Sequence, residues 1–215
     1  MVPAASGLFD GTRSTHPMNF STLLKSLRLL GNSDALSGLA QLQRDTYEIN
    51  QLRRAFPESI IDSDVLVQGW PKGELNIPNI RIERGSILCV GDDINGYGSI
   101  SVGYATWIGP YNNIRTSEDA RIEIGSKCLI SQYCSIVGAN HGTARNAHIQ
   151  DQRSDSGRKG VVIADDVWLG VGCSVLPGVS IGEGAIIGAN SVVTRNVSAF
   201  EIWVGSPARK TGERT

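Results

Sequence analysis

The sequence predicts an all-β solenoid, a parallel β-helix of stacked six-residue turns, and three observations in Val161–Val197 predict it. Aliphatic residues recur every sixth position, at Ile163, Leu169, Val175, Ile181, Ile187 and Val193. With about a quarter of the chain Ile, Leu or Val, such a run has a chance probability of roughly 0.0002. Two positions ahead of each lies a small or apolar companion: Val161, Val167, Cys173, Val179, Ala185 and Ser191. Between the strands stand Ala164-Asp165-Asp166, Gly182-Glu183-Gly184 and Gly188-Ala189-Asn190. These supply the Gly, Asn and Asp residues that tolerate the positive φ of a tight corner. Neither a 3.6-residue nor a 2-residue period fits. A unit this short buries its apolar face only when the next is stacked on it.

These hexads resemble the hexapeptide-repeat acyltransferases. The resemblance, not the spacing, implies a left-handed coil, an exception to the right-handed crossover rule. It also implies three hexads to a coil and assembly as a homotrimer.

Taken in order, residues 1–57 read as a flexible leader followed by N-terminal helices. Phe20, Leu23, Leu24, Leu27 and Leu30 have helical spacing, with Gly31 as the stop. A second helical segment is expected over 33–56, carrying Leu36, Leu39, Leu42, Ile49 and Leu52 and ending before Pro57. These helices suit a cap over the open end of the solenoid. With Lys25 and Arg28 on the polar side, the first also suits peripheral contact with a membrane surface.

The β-helix domain is expected over 58–205. Ile61 and Val67 fit the repeat, and Trp70–Gly73 break its phase. Ile82 and Leu88 resume it, then Val102, Ile108 and Ile114, with a second shift around Thr116–Asp119. Ile124, Ile130 and Ile136 carry it to the one substantial interruption, the polar loop 139–160. A loop of that length inside a compact array points to function. Residues 206–215 read as a C-terminal tail.

A formal net charge of −1 gives no pull on nucleic acid or anionic lipid. No apolar run reaches the ~18 residues of a membrane span. The first residues lack the basic and apolar regions of a signal peptide, so a cytoplasmic location is expected. Of the four cysteines, Cys128, Cys134 and Cys173 fall on inward companion positions, where a thiol packs as a compact hydrophobe, and Cys89 lies off the pattern. No CxxC motif or metal-ligand spacing occurs, and no metal is expected.

The chemistry concentrates in the loop, which holds His141 and His148. Acyl transfer to a hydroxyl needs a base for the hydroxyl proton, and imidazole suits that task near neutral pH. The resemblance places the catalytic base at His141, in Ala139-Asn140-His141-Gly142, ahead of the coil Asp166-Val167-Trp168-Leu169-Gly170. His148 is the reserve candidate. Trp168 is too large for an inward slot and is expected to face outward, walling a cleft between subunits or making the subunit contact itself. By the same resemblance acetyl-CoA lies along the groove between two β-helices, near Trp168, Val171, Ala189, Thr194 and Arg195. The basic pair Arg209 and Lys210, in Gly205-Ser206-Pro207-Ala208-Arg209-Lys210, then meets its nucleotide end.

The function this implies is acetyl-CoA-dependent transfer of an acetyl group to the hydroxyl of a sugar, in a surface polysaccharide or its precursor. Two alternatives stay open: transfer to the amine of a nucleotide-linked amino sugar, and a non-catalytic β-helix serving as a binding module.

Overall fold

The computed structural model describes residues 37–38, 47–154 and 157–215, and Asp45–Thr215 form one compact unit. The chain winds as a three-walled prism of short parallel strands. The first wall stacks Ile60–Ile61, Arg81–Ile82, Trp107–Ile108, Leu129–Ile130, Trp168–Leu169 and Ile186–Ile187, then a terminal hairpin. The second stacks Leu66–Gln68, Ile87–Cys89, Asn113–Arg115, Ser135–Val137, Ser174–Val175 and Val192–Val193. The third stacks Glu74–Asn76, Ser99–Val102, Arg121–Ile124, Val161–Ile163 and Val179–Ile181.

The hexad phase is the register of the prism. Ile108 pairs with Ile82 and Ile130, Ile114 with Leu88 and Ile136, and Ile163 with Ile124 and Ile181. Like residues therefore stack directly above one another, and the central aliphatics from Ile82 onward are fully buried. The companions Val167, Cys173, Val179 and Ala185 are buried where the walls converge, as are Cys128 and Cys134. Ser86, Thr106 and Asn112 take the same slot without penalty because each is bonded to corner backbone. Ser86 Oγ donates to Gly109 O (2.9 Å), Thr106 Oγ1 to Gly125 O (2.7 Å) and Asn112 Nδ2 to Gly109 O (2.7 Å).

Two of the three corners are tight throughout. Those from first to second wall (83–86, 109–112, 131–134, 170–173, 188–191) are of equal length, and so are those from third to first (103–106, 125–128, 164–167, 182–185). Their left-handed positions carry the expected Asp166 (φ 58°), Gly184 (66°) and Asn190 (56°). The third corner, from second to third wall, takes every irregularity.

Here the structure corrects the expectation of one interruption. Excursions leave this corner at 69–73, 90–98, 116–120 and 138–160, and they stack on one another. The second of these is an antiparallel hairpin, Gly91–Asp92 with Gly96–Tyr97. Extra residues at a single edge leave the pairing of all three walls intact, so the array tolerates them.

Residues 47–55 are helical, with Ile49 and Leu52 in the same apolar cluster as Ile61 and Val65. Residues 37–38 are helical too; the leader 1–17 and the helix expected near Phe20–Leu30 lie outside the described residues. The terminal segment differs from the tail expected at 206–215: Ala208–Glu213 pairs antiparallel with Glu201–Gly205. Glu201–Gly205 itself continues the first wall beside Ile186–Ile187. The buried Ala208 and the ion pairs Lys210–Glu201 (2.9 Å) and Lys210–Glu213 (2.6 Å) hold this second arm in place. No helix among the described residues is long and apolar enough to cross a membrane.

Candidate active site

The stacked excursions build the site. The second-wall strand Ser135–Val137 ends in Gly138, whose N–H donates to Arg115 O (2.8 Å), and Gly160 N returns the chain by donating to Gly138 O (2.7 Å). Between these anchors the loop folds back on itself. His141 and Ser154 form an antiparallel bridge, and Gly142 N donates to Arg153 O (2.9 Å). Gln152 laces the interior, accepting from Ala144 N (2.7 Å) and donating to Ala144 O (2.9 Å) and Ala147 O (3.0 Å). A loop with its backbone groups met in this way holds His141 at a fixed place on the prism edge.

Glu118, on the excursion one coil earlier, fastens the loop from outside. Its carboxylate accepts from Ser154 N (3.1 Å) and its carbonyl from Lys159 Nζ (3.0 Å), with Lys159 and Arg153 each 3.9 Å from the carboxylate. Hydrogen bonding from Ser154 holds this carboxyl below its ordinary range against the opposing desolvation, with smaller help from the two cations.

The hairpin 91–97 stands on the same edge. Asp92 caps its turn, accepting from Ile94 N (2.9 Å) and Asn95 N (2.6 Å). Lys72 and Tyr97 converge on Asp93 Oδ1, each at 2.7 Å, and brace its base. Between hairpin and loop opens a cavity of about 690 Å³ lined by Ile94, Asn95, His141, His148, Ile149 and Gln150. Both loop histidines therefore face one space.

The other expected contacts divide between two sides of the prism. Trp168 faces outward, 47% exposed, with Nε1 donating to Ser131 Oγ (3.3 Å). It lies in a first-wall row with Leu129 and Ile186. Val171 and Ala189 are exposed at the adjoining corner, where Asn190 N donates to Val171 O (2.8 Å). Thr194 and Arg195 fall instead on the corner that carries His141, and Arg158 of the loop donates to Thr194 O (3.0 Å). Arg209 is exposed on the terminal hairpin, while Lys210 is held by two carboxylates. No cluster of His, Cys, Asp or Glu with metal-holding geometry occurs among the described residues.

A single chain thus gathers His141, Thr194 and Arg195 along one edge. It places Trp168, Val171 and Ala189 on and beside the first wall, which lies opposite that edge in the prism. Ile94, Asn95, Glu118 and Ser154 were not singled out from sequence. The distance from Leu88 to Val102, 14 positions, is no multiple of six and marks the hairpin; the phase shift around Thr116–Asp119 marks the stretch that holds Glu118 but not its role.

The family model for the bacterial transferase hexapeptide, six repeats, matches residues 160–195, the part of the chain where the three-walled register is unbroken. The chain is a hexapeptide-repeat left-handed β-helix.

This hexapeptide-repeat protein is 32% identical over 111 residues to a galactoside O-acetyltransferase of Lactococcus lactis, covering 52% of each chain. It is 33% identical over 109 residues to a chloramphenicol acetyltransferase of Morganella morganii, covering 44% of this chain and 52% of that one. The chain spans about half the length of these curated relatives. Among solved structures it shares its fold with AntD, an N-acyltransferase from Bacillus cereus in complex with dTDP and 3-hydroxybutyryl-CoA. The TM-score is 0.64 at 24% identity, over 77% of this chain and 88% of that one.

Proposed function

We propose that the protein transfers the acetyl group of acetyl-CoA to a hydroxyl of a saccharide, with His141 as general base. The observation that carries this is the placement of His141, bridged to Ser154 and lining an open cavity at the irregular edge of an otherwise closed solenoid. The names of acetyltransferase relatives, one of them acting on galactosides, support the same reaction class.

The residues on the surface suit the co-substrate. Trp168 and Val171 offer apolar area to a pantetheine arm, and the exposed cations Arg195 and Arg209 suit phosphates. Gly170 is where backbone approaches closely: a Cβ there would stand 2.7 Å from Ala189 N. Lys210, committed to Glu201 and Glu213, is the weaker phosphate contact. Because Trp168 and His141 occupy opposite sides of the prism, a site using both draws His141 from one copy and Trp168 from another. A homotrimer satisfies this with three equivalent sites.

In the reaction, His141 takes the acceptor hydroxyl proton as that oxygen attacks the thioester carbonyl. The C–S bond then breaks, and His141 returns the proton to the departing thiolate. Cys128, Cys134 and Cys173 are buried in the prism, out of reach as nucleophiles, which supports direct transfer.

His141→Ala is expected to lower kcat by about 100- to 10,000-fold while leaving acetyl-CoA affinity, read by calorimetry, within a few-fold. His148→Ala is expected to be much milder. The reverse ranking would make His148 the base. Label retained covalently on the protein after incubation with labelled acetyl-CoA alone would exclude direct transfer.

A further inference from the structure

We infer that the acceptor of this site is an uncharged saccharide with an apolar face, and that the hairpin tip at Ile94 selects it. This rests on the acetyl-transfer reading of the His141 cavity and narrows its substrate class.

The first observation is the composition of the lining. Among the described residues, two imidazoles (His141, His148), two carboxamides (Asn95, Gln150) and two isoleucines (Ile94, Ile149) line the cavity, and no carboxylate, ammonium or guanidinium does. Carboxamides donate and accept at once, as hydroxyl groups require of a partner. A nucleotide diphosphate requires cations; the exposed Arg145 of the loop and Arg195 on the same edge do not line the cavity, and three others nearby are committed. Lys72 is paired with Asp93 at 2.7 Å, and Lys159 and Arg153 lie on Glu118. The adjoining hollow adds Asp93, Glu118 and Asp151 beside Arg153. A diphosphate would have to displace carboxylates to find a partner there.

The second observation is Ile94 itself. Its side chain is 91% exposed at the hairpin tip, and Ile149, across the cavity, is 57% exposed. An isoleucine held in water by a floppy loop would mean little. This one is held by two backbone bonds to Asp92, with Asn95 Nδ2 also donating to both Asp92 oxygens (3.1 and 3.0 Å), and the hairpin base is tied down at Asp93. An apolar side chain carried on a fixed backbone spends less ordering entropy on contact than one on a mobile loop. It matches the C–H face or deoxy carbon of a sugar ring, with hydroxyls directed to Asn95, Gln150 and His141.

The test uses the whole protein and three probes: methyl fucoside (a 6-deoxy sugar), methyl galactoside and UDP-galactose. Binding is read by saturation-transfer NMR and turnover by thiol release from acetyl-CoA. The wild type should bind methyl fucoside at least as well as methyl galactoside, and UDP-galactose about tenfold more weakly. Ile94→Ser should raise the acceptor KM by about tenfold, with acetyl-CoA affinity unchanged and Ile94→Val close to wild type. The exposure of Ile94 keeps these variants foldable.

Glycosides that bind in an Ile94-dependent way without being acetylated would sink the transferase reading and leave the subsite standing. Transfer that ignores Ile94→Ser, or UDP-galactose as the best-bound probe, would overturn the inference alone. So would an Ile94→Ser effect seen only as a changed sedimentation coefficient, since Ile94 would then contact another copy.

Discussion

Glu118 shows how a residue outside the reacting groups fixes the proposed general base. It touches neither His141 nor the cavity that both histidines line, yet its carboxylate holds Ser154, the backbone partner of His141. It does so from a left-handed backbone position, φ 40°, followed by Asp119 at 61°. Such conformations cost about 1 kcal/mol or more outside glycine, and the stack of excursions over-determines them. As a positioning residue, Glu118→Ala is expected to lower kcat by about tenfold with acetyl-CoA affinity unchanged, and to speed amide exchange at Gly142 and Ser154. Glu118→Gln should recover much of the loss by keeping the Ser154 bond. The Glu118 carboxyl lies below its ordinary value in the folded protein, so the latch is at full strength above the ordinary carboxylate range. It weakens as pH falls through the depressed value. Wild-type amide protection at Ser154 should fall over that acidic window, and in Glu118→Gln it should not.

Among elements, the terminal hairpin is stapled at its open side. Lys210 sits between Glu201 and Glu213, and Trp203 Nε1 donates to Glu201 Oε2 (2.9 Å). These contacts, with Lys210 the largest, bring the Glu201 carboxyl from 4.5 down to about 2. Folding is therefore favoured by this carboxylate above pH ~4.5, and the benefit drains away as pH falls toward ~2. Lys210→Met should flatten the acid limb of the Tm-against-pH curve between those values. An unchanged curve would show that the staple does not contribute. The same pairing makes Arg209 the expected phosphate contact of the hairpin. Arg209→Ala should weaken acetyl-CoA several-fold, and Lys210→Met should do so only slightly.

At the scale of the molecule, Leu129, Trp168 and Ile186 form an outward apolar row on the first wall, beside the stacked pair Tyr111–Tyr133 (ring centroids 5.4 Å apart). A row of this kind on a flat wall suits burial against another copy. The homotrimer proposed above predicts sedimentation at three times the 23.0 kDa chain mass at micromolar concentration. Trp168→Glu should lower both the trimer fraction and kcat. Mixing that trimer-defective variant with a His141→Ala variant would restore activity only if one copy supplies the base and another the tryptophan. A fully active 23.0 kDa species would end the two-copy site.

What the sequence by itself determined is the periodic part. A stacked prism repeats the same environment every six residues, so Ile163 through Val193, their companions and their corner residues could be read as one pattern, and all are where that pattern puts them. It also determined the loop bearing His141, since a polar stretch out of phase has no place in a wall. Only the tertiary structure decided that the irregular stretches at 69–73, 90–98, 116–120 and 138–160 leave from one edge. They are far apart along the chain and share no pattern, and the coil alone brings them together. Hence Ile94 beside His148, Glu118 under Ser154, and Trp168 opposite His141 follow from winding, not from spacing. The local code sets each strand's inward face, while the stacking of coils sets which excursions meet.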